Sequence, residues 1–234
     1  NAMKVESNHR PKWLTETLLH DLQPRKRSKL PSANAKKLKE DPAVRGILVW
    51  QFSKLAEVVQ DVLNQEEIAD EGPYAVSPGS ALKWLEVNMY HICQHFILPL
   101  TMDNACSYVE LVANDLQVPE WMVSHAWSTN FAATSGMLMQ HALSRRSSAV
   151  DEKETEQSMC YWCCTLANNQ HDLSALQDPD LLKTPFARVL LSPTCCGTVL
   201  LCDPAVTPLK RVWCVFEAHL TQKLRSTDLS SKGC

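Results

Sequence analysis

The sequence predicts an α/β protein, a short parallel sheet covered by helices and preceded by a helical region. Three observations predict it. Three short apolar runs, "EWMVSH", "MCYWCCTL" and "GTVLLCD", are rich in branched, aromatic or sulfur side chains. Each is followed by a helical segment, and strand–helix repetition with crossovers of this length is the pattern of parallel pairing. Upstream, residues 43–117 show helical spacing in place of strand alternation. The chain therefore divides into a basic flexible arm at 1–42, a helical region at 43–117 that packs on the core, and an α/β domain at 118–234.

In chain order, "WLTETLLHDL" in the arm is amphipathic and reads as a segment that becomes helical on a partner. "PAVRGILVWQFSKLAEVVQDVLNQEEI" sets Ile47, Phe52, Leu55, Val58, Val59 and Val62 on one side of a helix. "EGPYAVSPGS" is a loop of Pro, Gly and Ser. "ALKWLEVNMYHICQHFIL" predicts a helix ending before Pro99, and "MDNACSYVELVA" another with Asp103 as its cap. After the first strand, "NFAATSGMLMQHALSRR" turns Phe131, Leu138 and Leu143 inward. "SSAVDEKETEQS" is an acidic surface loop before the second strand. Thr184 and Pro185 open the helix "TPFARVLL" as cap and first residue. The third strand leads through "PAVTP" into "RVWCVFEAHL".

In that last helix Val212, Phe216 and Leu220 form the predicted buried stripe, with Trp213 and Glu217 stacked about 100° away. Glu217 then sits at the edge of the apolar face. Its neighbours three and four residues away are Trp213, Cys214, Leu220 and Thr221, so no local cation neutralises it.

Composition narrows the function classes. Residues 1–45 hold 11 Lys or Arg against 5 Asp or Glu, and residues 46–234 hold 12 against 21. The basic runs "PRKRSKLP" and "AKKLKE" have no interleaved aromatics of the kind that stack on bases, which weighs against nucleic acid. No apolar run approaches the length a bilayer needs, so no membrane partner is expected. Ten cysteines without a signal-peptide pattern read as reduced thiols of a cytoplasmic protein. Cys160 and Cys163 would face opposite ways in a strand, so no metal is expected there. Six scattered glycines give neither a GxGxxG nor a GxxxxGK pattern, and HExxH and GxSxG are also missing from the sequence.

The strand ends share a feature. His125 and Trp127 follow the first strand, Asn168, Asn169 and Gln170 the second, and Asp203, Arg211, Trp213 and Glu217 the third. Parallel strands bring their carboxyl ends to one rim, where α/β folds bind ligands. Singly, each residue also fits a plainer role: the asparagines as turn residues, Asp203 before Pro204 as a turn starter, the tryptophans as core.

"WMVSHAW" and "SPTCCGTVLLCDPAVTPLKRVWCVFEAHL", with "YWCCTLANNQ" between them, resemble a TIR domain over residues 118–224. The set is similar to a divergent TIR-like group of single-celled eukaryotes. The resemblance implies a flavodoxin-like sheet and cleavage of NAD, with NAD as substrate and no bound cofactor. It places Glu217 at the catalytic glutamate and Trp213 in the same pocket. His125 and Trp127 fall in the loop near the nucleotide, and Asn168 to Gln170 in the loop that closes over it. It also implies self-association into a homo-oligomer, and a signalling module without chemistry is the alternative. Two departures stand out. Ala126-Trp127 replaces the usual arginine or serine, and the fourth and fifth strands are missing, so either residues 43–117 cover the sheet edge or the chain is a fragment.

Overall fold

A computed structural model describes residues 10–22, 31–145 and 159–231. Its centre is a four-stranded sheet of β1 (Ile47–Leu48), β2 (Trp121–His125), β3 (Cys160–Trp162) and β4 (Gly197–Leu201), in the order β1-β3-β2-β4. β2 runs parallel to both β3 and β4, and β1 pairs antiparallel with β3. The fold is thus the expected α/β class with a short, mostly parallel sheet. From β2 the chain moves outward to β3, then returns across β2 to β4. Strand order reverses between β2 and β4, and the carboxyl ends of these two strands define the switch point where such folds bind ligands.

The helices are α1 (Glu16–Leu22), α2 (Ser32–Glu40), α3 (Val49–Gln65), α4 (Met89–His91), α5 (Leu98–Thr101), α6 (Tyr108–Val112), α7 (Phe131–Arg145), α8 (Cys164–Ala167), α9 (Pro185–Leu190) and α10 (Val212–Ser231). One sheet face presents Val123, Tyr161, Val199 and Leu201 to Phe52, Leu55, Phe131 and Leu138. The other presents Met122 and Trp162 to Phe186, Leu190 and Leu220. Side-chain alternation along β2 therefore puts Met122 and Ser124 on the α9–α10 face and Val123 and His125 on the other.

Several expectations are corrected. Ile47 belongs to β1, and α3 begins only at Val49, because the backbone at Leu48 is extended and pairs with Cys160. The helix expected to stop before Pro99 continues to Thr101, passing through a π-helical segment, Ile92–Ile97. Proline has no N–H to donate and crowds the preceding turn, and a widened turn ahead of it removes the conflict. Ser107, not Asp103, caps the next helix, in a reciprocal box with Glu110. Thr184 occupies its cap position but bonds backward to the Leu181 carbonyl. Leu143 is only partly buried, and the inward face of α7 runs through Phe131, Thr134, Leu138 and Ala142. Cys163 lies past the end of β3, at the cap of α8.

Within the region read as a mobile arm, the described stretches are helical. Leu14, Leu22 and Leu38 are buried in the main core, and Trp13 packs on Phe96 with ring centroids 5.4 Å apart. The acidic loop read at 147–158 lies outside the described residues. β1, supplied by the helical region, covers the β3 edge, while among the described residues no strand pairs with the outer edge of β4.

Candidate functional site at the switch point

α10 starts the site. The predicted stripe holds at Leu220, which is buried, and at Phe216, which is half-buried against the same cluster, but Val212 is 77% exposed and Cys214 is buried instead. Cys214, Glu217 and Thr221 line the side of α10 beside that stripe and look at β2 and β4, so Glu217 sits half-buried at the edge of the apolar face, next to the sheet. Thr221 fixes this orientation. Its hydroxyl donates to the Glu217 carbonyl at 2.8 Å and lies 2.6 Å from the Thr198 hydroxyl of β4.

Ser124, on the β2 face that looks at α10, lies beside the Glu217 carboxyl and the Cys214 thiol. Its Oγ is buried without a partner at hydrogen-bonding distance. Burial pushes the Glu217 carboxyl up to about 7, while the Ser124 hydroxyl and the Arg211 charge pull the other way. Glu217 thus titrates near neutrality, an uncommon property for a carboxyl and a frequent one at reactive sites. Cys164, at the start of α8, faces the same carboxyl. Burial pushes its thiol up to about 11, although the Trp127 indole N–H donates to it at 3.4 Å. Cys164 is therefore a neutral thiol, unsuited to nucleophilic attack.

The helical region closes the arrangement. The segment 87–89 runs beside the loop after β2: Met89 N–H donates to the Trp127 carbonyl at 2.9 Å and Phe131 N–H to the Val87 carbonyl at 2.7 Å. This carries Tyr90 to the rim. Its ring meets Trp127 edge-on at 5.2 Å, and its phenol lies against the Arg211 guanidinium. Tyr74 stacks face to face on Tyr90, with centroids 3.5 Å apart and planes 3° from parallel.

The other sequence candidates take different places. His125 faces away from α10: its Nε2 is 3.9 Å from the Cys163 thiol and its Nδ1 has no partner. Burial, then the Arg211 charge, pushes it down to about 4, so it is neutral. Asn168 is buried, with its Nδ2 on the Cys164 carbonyl and its Oδ1 unpartnered. Asn169 donates to the Ala105 carbonyl and accepts from His171 N–H. Gln170 donates to the Thr165 carbonyl at 2.9 Å. Asp203 accepts from Thr207 N–H and Oγ1, capping the turn before α10. Trp213 packs on Phe186 at 5.5 Å and is 46% exposed.

The structure thus gathers Glu217, Arg211 and Trp127 into one cluster, with Ser124, Cys164, Cys214 and Tyr90 added to it. His125 is turned to the opposite face, and Asn169, Gln170 and Asp203 are occupied in holding loops. Ser124 is legible in the sequence as one of the polar residues that end the first strand, and period two along β2 sets it on the face opposite His125. Tyr90 had no local signal, since its place depends on pairing between segments about forty residues apart. Among the described residues no group of three or more His, Cys, Asp or Glu is arranged to hold a metal ion, and no helix is long and apolar enough to cross a membrane.

No family model, no curated protein and no solved structure matches the chain.

Proposed function

We propose that the protein is a TIR-like NAD glycohydrolase that cleaves the nicotinamide–ribose bond, acting in the cytoplasm in signalling or defence. The observation that carries the reading is Glu217, a half-buried carboxyl at the topological switch point, held near neutrality and flanked by Arg211 and an aromatic wall. The chemistry suits one acid. The bond from ribose C1′ to the pyridinium nitrogen breaks, and its electron pair leaves with nicotinamide, which departs neutral. No general acid is required, unlike the pair of carboxyls that most glycosidases need. Ionised Glu217 stabilises the oxocarbenium-like ribose and orients its hydroxyls. Water then adds to C1′ and releases a proton to solvent, giving ADP-ribose. Arg211 fits a phosphate oxygen, and Trp127 or Tyr90 fits a planar ring.

Incubation with NAD followed by chromatography is expected to show nicotinamide release that Glu217→Gln lowers at least a hundredfold. Equal release from both proteins would exclude this mechanism.

A second reading, self-association as an assembly module, is favoured by one surface. The β4 outer edge is unpaired among the described residues, and Leu209, Val212, Trp213 and Val215 are exposed nearby on α10 and the turn before it. Light scattering that rises with concentration, without NAD turnover, would support this reading over the first.

A further inference from the structure

The Tyr74–Tyr90 stack is in an unfavourable geometry for two tyrosines. Planes 3° apart with centroids only 3.5 Å apart leave almost no lateral offset, since that distance is already about the van der Waals separation of carbon layers. Aromatic pairs prefer offset or edge-on contact, because a face-to-face sandwich opposes two electron-rich faces. A planar ring that is electron-poor or cationic would meet the Tyr90 face with attraction instead.

The two rings are held unequally. Tyr90 stands on α4, which Asn88 caps, edge-on to Trp127 and with its phenol at Arg211. Tyr74 lies in the loop 71–80 and is 44% exposed. That loop is anchored elsewhere. The buried Asp70 carboxylate accepts from Val76 and Ser77 N–H, and its other oxygen is 3.1 Å from His91 Nε2. The Tyr74 carbonyl accepts from Asn88 Nδ2 at 3.3 Å. None of these backbone bonds depends on the Tyr74 ring, so turning that ring about its side-chain bonds would uncover Tyr90 without breaking them.

We infer that the face of Tyr90 is a binding subsite for a planar, electron-poor heteroaromatic ring, and that Tyr74 occupies it as an internal stand-in which the ligand displaces. The inference rests on the NAD reading above for the identity of the ring, a pyridinium, and adds residues from outside the parallel sheet to the site. Tyr74 acts against binding. A subsite filled nine-tenths of the time by its own plug binds about tenfold more weakly than the open one.

The test uses 1-methylnicotinamide, a pyridinium cation with no ribosyl bond, and neutral nicotinamide, titrated calorimetrically into the full chain. Wild type is expected to bind the cation, Tyr74→Ala to bind it about tenfold more tightly, and Tyr90→Ala to lose it. Tyr90→Phe keeps the ring and is expected to retain binding, and neutral nicotinamide to bind several-fold more weakly throughout. Tyr74→Ala weakening the binding, or Tyr90→Ala leaving it unchanged in a protein that melts normally, would overturn the inference. NAD turnover on the same samples separates the two claims. Binding without nicotinamide release rejects the hydrolase and keeps the subsite, and release with binding indifferent to Tyr74 and Tyr90 does the reverse.

Discussion

Glu217 carries opposing demands, since its carboxylate must be charged to act yet sits where burial favours the proton. The pH dependence follows. Activity limited by ionised Glu217 is expected to rise through a single step near pH 7, and Arg211→Gln, by removing the cation, to move that midpoint upward in whatever activity remains. Stability runs the other way. The folded state keeps the proton up to about pH 7, whereas the unfolded chain releases it near the ordinary value of 4.5. Between these values the folded state binds more protons, so stability is full below pH 4.5 and is lost as pH rises to 7. Glu217→Gln, which cannot ionise, is expected to match wild type at pH 4 and to exceed it by about 2 kcal/mol at pH 8, allowing for partial exposure. Urea midpoints at the two pH values check it, and a constant difference would mean that the carboxyl titrates normally.

At the scale of elements, the covered edge of the sheet depends on Gly46. Its N–H donates to the Gln117 carbonyl, and a Cβ there would come 2.6 Å from that oxygen and closer still to the Cys160 thiol. Gly46→Ala must push β1 off β3 and is expected to cost about 1–3 kcal/mol in denaturant unfolding. The sequence made some elements legible and not others for physical reasons. β2 and β4 were readable because short apolar runs between turn residues have few alternatives, and α7 because its spacing is regular. The face of α10 was read correctly at Phe216 and Leu220 but not at its start, because Val212 is apolar by type, yet the sheet α10 packs on places the smaller Cys214 inward and leaves Val212 outside. The continuation through Pro99 was invisible because a π-helical segment depends on packing rather than local propensity. At the candidate site, Glu217 was visible as an acid without a local cation. Of the aromatic wall, Trp127 was also visible, but Tyr74 and Tyr90 were not, because they reach the rim only through tertiary hydrogen bonds.

Across the whole molecule, the helical region and the sheet share one core, and Arg45 is the polar fastening between them. Only 4% exposed, it donates to the Leu38 carbonyl at the end of α2, to the Lys39 carbonyl, and at 3.1 Å to the Ala167 carbonyl beside Asn168. Its guanidinium also lies 3.3 Å from the Glu110 carboxylate of α6. One side chain thus ties the arm, the helical region and the end of α8. Burial lowers the Arg45 pKa, and the Glu110 charge opposes that shift. Replacing Arg45 by Met fills the space but leaves the Glu110 carboxylate and three carbonyls without this partner. Breaking a buried pair on one side costs about 3–5 kcal/mol, far more than a surface ion pair would. Because Val123 and Leu201 of the sheet and Phe52 and Leu55 of α3 belong to the same core, the loss is expected to be shared. In hydrogen exchange read by mass spectrometry, peptides spanning 49–65 and 121–125 of Arg45→Met should lose protection together. Protection lost from 49–65 alone would show two independently folding parts, and the site built between them would then be an assembly of separate pieces.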